Sequence, residues 1–252
     1  MPGSRILPAL ACLALFALAP VAVAQYAMRF DGGDDHLVIP HDELLSVADG
    51  GPLTVEFWMK AVSGQWHVFG KRGTCFDAGQ SSNYQFWVTI DGGTQLNSGA
   101  CQTVGAGPPA GEWVHMAIVA DGTGSRIYTN GELTGQSACP ISGANTAALW
   151  LGGTTDCGYR YYGDLEEFRI WNVARSQAQI QANMASPIAP NTAGLVAVWR
   201  FDEAVDEQEV RDSGANALHG WRGDTGEPDA ADPLRVGSDW PGAEYLFRDG
   251  FE

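Results

Sequence analysis

Along Leu53 to Lys60 the residues Leu53, Val55, Phe57 and Met59 fall on one face and Thr54, Glu56, Trp58 and Lys60 on the other. Successive side chains of a strand point to opposite faces, so the first set is expected to enter a core. Trp113 to Ala120 is largely apolar on both faces, the pattern of a central strand covered on both sides. Further strand candidates run from Trp66 to Gly70, Tyr84 to Ile90, Gln95 to Gly99 and Ala148 to Gly152. Asp91-Gly92-Gly93 marks a turn, and Asn130-Gly131 a hairpin turn of the kind that needs positive φ. Phe168 and Ile170 alternate with Arg169 and Trp171, and Ser176 with Gln179 then forms a capping box ahead of Ile180 and Met184. The pattern predicts an all-β chain with one short helix near 176–184. Beyond Trp221, residues Gly223, Asp224, Gly226, Pro228, Asp229, Asp232 and Pro233 interrupt any period, so 222–252 reads as an irregular extension. Its last residues form the tail Phe247-Arg248-Asp249-Gly250-Phe251-Glu252.

The stretch Gly163-Asp164-Leu165-Glu166-Glu167-Phe168-Arg169-Ile170-Trp171-Asn172-Val173-Ala174-Arg175-Ser176 closely resembles the end of a laminin-G-like domain of the concanavalin A-like superfamily. Matching blocks lie in order at Phe30 to Pro40, Leu53 to Lys60, Trp113 to Ala117, Ile127 to Leu133, Gly194 to Glu203 and Asp212 to Gly214. The resemblance implies a two-sheet antiparallel jelly-roll sandwich over residues 25–221. With 45% hydrophobic residues, nine tryptophans and 32 glycines, the composition suits a single such domain. Because the fold hosts lectins, receptors, spacers and enzymes, it does not fix the function.

Arg5, the apolar run from Ile6 to Val23 and the sequence Ala22-Val23-Ala24 have the form of an export leader over 1–24, which leaves Gln25 as the mature N-terminus. Pro8 and Pro20 interrupt the run, so the mature chain is expected to have no membrane span and to be secreted. The formal charge of −16 becomes more negative once Arg5 is removed. That charge argues against nucleic acid or an anionic membrane as a partner, since phosphate binding needs basic patches to displace counterions. Arg222-Gly223-Asp224 spells an adhesion-type tripeptide, too short a signal to carry a function.

Of five cysteines, Cys12 leaves with the leader, and the even number remaining predicts two disulfides in an oxidising compartment. Cys75 and Cys101 end neighbouring strand candidates, and Cys139 and Cys157 flank the strand Ala148 to Gly152. The expected pairs are Cys75 with Cys101 and Cys139 with Cys157, each contributing roughly 3 kcal/mol. Zinc is the competing reading of four cysteines, but no close Cys-x-x-Cys pair exists.

Glucanases of this architecture resemble Glu-x-Asp-x-(x)-Glu on one strand, since glycan hydrolysis needs two carboxylates across the scissile bond. In Asp164-Leu165-Glu166-Glu167 the residues Asp164 and Glu166 share a face, but Phe168 stands where a third carboxylate would follow. His36, His41, His67, His115 and His219 are scattered, without a nucleophile or metal frame. Asp31, Asp34 and Asp35 cluster on a Gly-Gly turn, and the resemblance implies one structural calcium with Asp31, Asp34 and, on the adjoining segment, Asp164 as the candidate ligands. Tyr159-Arg160-Tyr161-Tyr162 is the candidate binding loop, and Trp58 and Trp87 are additional aromatic candidates expected to be partly buried. The resulting expectation is a secreted, non-catalytic module that binds a carbohydrate or an extracellular protein. The alternative is a structural or adhesion element without a small ligand, and a glycoside hydrolase of the same fold stands third.

Overall fold

The alternating side chains sort into two antiparallel sheets packed face to face, in a computed structural model that describes residues 25–62, 66–72, 84–88, 93–99, 101–153 and 158–241. The leader, Cys75, Cys157 and the Phe247–Glu252 tail lie outside the described residues. In chain order the elements are β1 (Tyr26–Asp31), β2 (Leu37–Ile39), β3 (Pro52–Ala61), β4 (Trp66–Lys71), β5 (Tyr84–Val88), β6 (Gly93–Ser98), β7 (Cys101–Ala106) and β8 (Val114–Asp121). There follow β9 (Ser125–Thr129), β10 (Glu132–Ser137), β11 (Leu149–Leu151), β12 (Tyr162–Trp171), α1 (Gln177–Asn183), β13 (Leu195–Trp199), β14 (Glu209–Val210), β15 (Gly220–Arg222) and β16 (Leu234–Gly237). The first sheet has the order β10-β9-β8-β3-β12-β1-β16, with β13 also on β12, and the second β14-β15-β2-β11-β4-β5-β6-β7. This is the expected jelly-roll sandwich. Among the described residues no helix is long and apolar enough to cross a membrane.

Leu53, Val55, Phe57 and Met59 enter the core as their alternation requires. Phe57 and Phe168 of the first sheet meet Phe69 and Phe86 of the second in three ring contacts, with centroids 5.3–5.8 Å apart. Asn130 and Gly131 both take positive φ, 49° and 76°, between β9 and β10. The Ser176 hydroxyl accepts from Gln179 N, and the Gln179 side chain accepts from Ser176 N, completing the capping box of α1.

The polar face of β3 is not solvated. Thr54, Glu56 and Trp58 are buried beneath the segment that follows β12. Arg175 Nη1 donates to both Glu56 oxygens at 2.6 and 2.7 Å, and Arg169 donates to Glu167 Oε2 and to the carbonyls of Asn183 and Ser186. Trp58 Nε1 donates to the Met184 carbonyl at 2.7 Å. A bulge between Glu166 and Arg169, where Glu167 has a φ of 50°, turns these side chains toward the covering segment.

The C-terminal region departs from the expected irregular extension. Leu234–Gly237 is a regular edge strand on β1, in register from Tyr26↔Gly237 to Arg29↔Leu234. An unpaired β1 would expose a row of backbone donors and acceptors, which β16 satisfies. Trp240 is buried against Trp58, with ring centroids 5.4 Å apart. Arg222 is buried and donates to the Val205 and Pro233 carbonyls, so the Arg-Gly-Asp tripeptide does not present its arginine.

The disulfide pairing also differs. Cys101 bonds to Cys139, with Cα atoms 5.6 Å apart. Cys101 opens β7, an edge of the second sheet, and Cys139 follows β10, an edge of the first. Strand ends within one sheet suggested Cys75 and Cys157 as partners, whereas the packing of one sheet edge on the other sets the actual pair. Peptide mapping without reductant is expected to recover Cys101 with Cys139. Cys101→Ser with Cys139→Ser should lower the unfolding free energy in urea by roughly 4 kcal/mol, the loop-closure entropy of a 38-residue separation. A free thiol at Cys101 would contradict the pairing.

Candidate functional site

The outer face of the second sheet carries three half-exposed tryptophans. Leu37, Leu151, Phe69, Phe86 and Leu96 point inward in one register row, so the next row points outward. That outer row runs Glu209, Trp221, Val38, Trp150, Gly70, Gln85, Asn97 and Gln102 across eight strands. A second row holds His67, Trp87, Gln95 and Val104. Trp87, Trp150 and Trp221 are all half-buried, each offering part of its ring to solvent. Trp221 and Trp150 lie two strands apart, roughly 10 Å at the usual strand spacing.

Gly70 sits between the Trp150 and Gln85 positions because a side chain there has no room: its Cβ would lie 2.8 Å from His67 Nε2. The His67 ring therefore covers Gly70 and packs edge-on against Trp87, centroids 4.6 Å apart. A register shift between His67 and Phe69 sends both Val68 and Phe69 into the core and leaves His67 outside. Burial, with Arg72 nearby, lowers the His67 pKa to about 3, so the ring is neutral. Arg72 Nη1 donates to Gln85 Oε1 at 2.8 Å. His36 packs on Trp150 at 4.9 Å.

The four residues of the expected binding loop separate. Tyr159, 37% exposed, packs edge-on against Trp87 at 4.9 Å, and Arg160 bridges to Gly153 beside it, so these two join the outer face. Tyr161 is a core residue: its ring meets Phe30 at 5.6 Å and its hydroxyl donates to the Asp164 carbonyl at 3.0 Å. Tyr162, 41% exposed, opens β12 and borders a separate cleft of about 240 Å³ with Arg29, Lys60 and Asp164. Alternation separates neighbours that look alike in sequence. Of the other aromatic candidates, Trp87 belongs to the face and Trp58 is sealed under Trp240. Trp150 was open to recognition, since Leu149 and Leu151 flank it in a strand candidate, whereas Trp221 stood at the expected domain boundary.

The sequence profile of the laminin G family described as the concanavalin A-like lectin/glucanases superfamily matches residues 31–181. The chain belongs to this superfamily. Mouse pappalysin-1 is 34% identical over 80 residues, covering 29% of this laminin-G-like chain and 5% of that protein, and human pappalysin-1 is 32% identical over the same length. The matched stretch is thus a small fraction of those relatives. Among solved structures, a protein from Bacteroides ovatus described as a candidate carbohydrate binder superposes with a TM-score of 0.66 at 17% identity, over 86% of this chain and 61% of that one. The binding domain of Paraclostridial Mosquitocidal Protein 1 gives 0.51 at 10% identity, over 64% and 45%. At these identities the likeness is one of fold.

In this laminin-G-like domain the three aspartates expected to come together, Asp31, Asp34 and Asp164, do not all meet. Carboxylate oxygens of Asp31, Asp34 and Asp35 lie within 4.8 Å of one another. Asp164 is held elsewhere, because Arg29 stands opposite it in the β1–β12 register and donates to both its oxygens at 2.7 and 2.9 Å. Asp35, adjacent on the turn, takes the third place. Its burial, with Asp31 and Asp34 alongside, raises its pKa to about 6, and its Oδ2 accepts from Asp31 N at 2.7 Å. The clustered carboxylates are donors of the type a hard cation takes.

The other carboxylates of the signature are enclosed. Glu167 pairs with Arg169 and Arg200, and Glu166 accepts from the Ser238 hydroxyl under the C-terminal segment. Burial, reinforced by Glu167, Asp202 and Asp239, raises the Glu166 pKa from 4.5 to about 9. The folded state thus keeps a proton that the unfolded chain gives up above pH 4.5, so stability falls as pH rises from there toward 9. Glu166→Gln should flatten this slope and, at pH 8, stabilise the fold by about 1–3 kcal/mol. Urea unfolding from pH 5 to 9 measures both; an unchanged slope in the variant would assign the pH dependence to other groups.

Proposed function

We propose that the chain is a secreted, non-catalytic module that binds a carbohydrate on the outer face of its second sheet. The observation that carries this reading is the set of three half-buried tryptophans, Trp87, Trp150 and Trp221, fixed by strand register on one face beside the amides of Gln95 and Asn97. Flat rings on rigid strands suit the apolar faces of sugar rings, and neighbouring amides suit their hydroxyls. The spacing of Trp221 and Trp150 is comparable to the length of a disaccharide, which favours an extended oligosaccharide over a single sugar. The carbohydrate-binding description of the Bacteroides ovatus protein of like fold supports the same reading. The enclosure of Glu166 and Glu167 supports a binding role over hydrolysis, and the leader over 1–24 supports secretion.

A glycan array probed with the chain from Gln25 onward is the direct test. Binding is expected to weaken about tenfold or more in Trp150→Ala and in Trp87→Ala, as for an aromatic anchor at the centre of a contact, with the circular dichroism spectrum unchanged. An array without hits, or hits insensitive to both substitutions, would defeat the proposal.

Calcium belongs to the same proposal, at Asp31, Asp34 and Asp35. A ligand that binds only the native state adds about 2.7 kcal/mol at a hundredfold excess over its Kd, and the melting midpoint should rise by roughly 5 °C or more. Asp31→Asn with Asp35→Asn should remove the rise. Equal midpoints in chelator and in millimolar calcium would leave the three aspartates as turn residues.

A further inference from the structure

We propose that Lys71 and Asn145 join in an intramolecular amide bond, formed by the chain itself with His41 as the base. The inference is independent of the carbohydrate-binding reading and assigns a covalent link between β4 and the loop that precedes β11.

Strand order supplies the nucleophile that His41 lacks in the sequence. Lys71 ends β4 opposite Leu149, the first residue of β11, which brings its amine to the segment just before that strand. Lys71 Nζ donates to the Asn145 and Ala147 carbonyls at 2.9 and 2.7 Å, and lies 3.2 Å from both Asn145 Oδ1 and His41 Nδ1. The Asn145 amide is held at both ends: its Oδ1 accepts from Ala147 N at 2.9 Å, and its Nδ2 donates to the Lys71 carbonyl at 3.2 Å. On the far side of the imidazole, His41 Nε2 lies 3.5 Å from Glu43 Oε1. Amine, amide, imidazole and carboxylate thus follow one another in a single line.

The environment of Lys71 gives a second observation. The residue is fully buried, and among the described residues its partners are amide oxygens and an imidazole, with no carboxylate. An ammonium enclosed without a counter-ion is costly, which favours the neutral and nucleophilic amine. Burial accordingly lowers the Lys71 pKa from 10.5 to about 8, against the opposing pull of Glu43. A buried amine meets no substrate from outside, so the electrophile it faces is the chain's own Asn145 amide.

In the reaction the Lys71 Nζ lone pair adds to Asn145 Cγ, and the carbonyl electrons move to Oδ1, toward which the Ala147 N–H already points. His41 Nδ1 takes one proton from Nζ, and Glu43 beside Nε2 steadies the imidazolium. That proton passes to Nδ2, the Cγ–Nδ2 bond breaks and ammonia leaves. Primary amine and primary amide become one secondary amide and ammonia, with no oxidation or reduction. The product removes a buried charge and closes a sequence separation of 74 residues, which restricts the unfolded chain as a disulfide does.

The test is mass spectrometry of the chain from Gln25 onward, purified folded, incubated at pH 9 and then denatured and reduced. The intact mass is expected to fall short of the sequence value by one ammonia, and digestion should release a branched peptide that joins Lys71 to Asn145. An N-terminal glutamine loses ammonia by cyclising, so the branched peptide decides the matter and the mass alone does not. Lys71→Arg, which keeps the cation and removes the nucleophile, should abolish that peptide. His41→Ala leaves both reacting residues in place, and the branched peptide should then accumulate about tenfold or more slowly. This second variant keeps the test intact if Lys71→Arg does not fold. Linear peptides alone, with Lys71 free and the Asn145 side chain unlinked, would overturn the proposal, as would an ammonia loss confined to Gln25 or to ring closure at Asn145. Unchanged formation of the link in His41→Ala would overturn the assignment of the base.

Discussion

The buried ion pairs of Arg169 and Arg175 with Glu56 and Glu167 decide which side of the sandwich is available. A two-sheet domain has two outer faces, and here the polar face of β3 and β12 lies under the segment that follows β12. Burial raises the Glu56 pKa, and Arg175 with Arg169 opposes that shift. Such pairs contribute little net stability against an apolar replacement, but loss of one partner is costly because the other is left charged and buried. Their structural effect is therefore one of placement: they tie the covering segment to β3 and β12, with the Arg175 guanidinium also lying over the Trp171 ring at 4.1 Å. Trp58 and Glu166, promising residues by type, are enclosed as a result.

On the outer face of the second sheet Trp87, Trp150 and Trp221 stay half-exposed, whereas His67 and Gln85 are buried. Two local features build this face. The extra residue at Val68 rotates His67 outward, and Gly70 leaves the space that the imidazole fills. Either feature alone would be an ordinary strand irregularity; together they place the buried His67 imidazole edge-on against Trp87. The contrast between the buried Trp58 of the first face and the half-exposed Trp87, Trp150 and Trp221 of the second is the physical basis for assigning recognition to the latter.

The disulfide and the C-terminal strand perform related tasks at opposite edges of the first sheet. Cys101–Cys139 ties the β10 end of that sheet to the β7 edge of the second, and β16 completes the β1 edge. Arg235 fastens the new edge by donating to the Ala204, Glu207 and Glu209 carbonyls. Exposed sheet edges invite association with other chains, and both devices limit that hazard at the ends of a single domain.

The strands, the helix cap and the hairpin turn were legible in the sequence because each depends on neighbours in the chain: two-residue alternation in Leu53–Lys60, the Ser176–Gln179 box and the φ preferences of Asn130-Gly131. The family resemblance extended that local information to a fold. What remained hidden depended on residues far apart in sequence. Arg29 holds Asp164 away from the Asp31–Asp34–Asp35 cluster through cross-strand register, and alternation buries Tyr161 while Tyr162 stays exposed. Leu234–Gly237 is too short and too closely flanked by Pro233 and Gly237 to announce itself, and becomes a strand because β1 offers it an unpaired edge. The sequence by itself thus determined the secondary structure and the fold family, since these follow from local periodicity and backbone preference. Only the tertiary structure decided which cysteines meet, which aromatic rings remain exposed and which face is open, because those depend on sheet register and on how one sheet packs against the other.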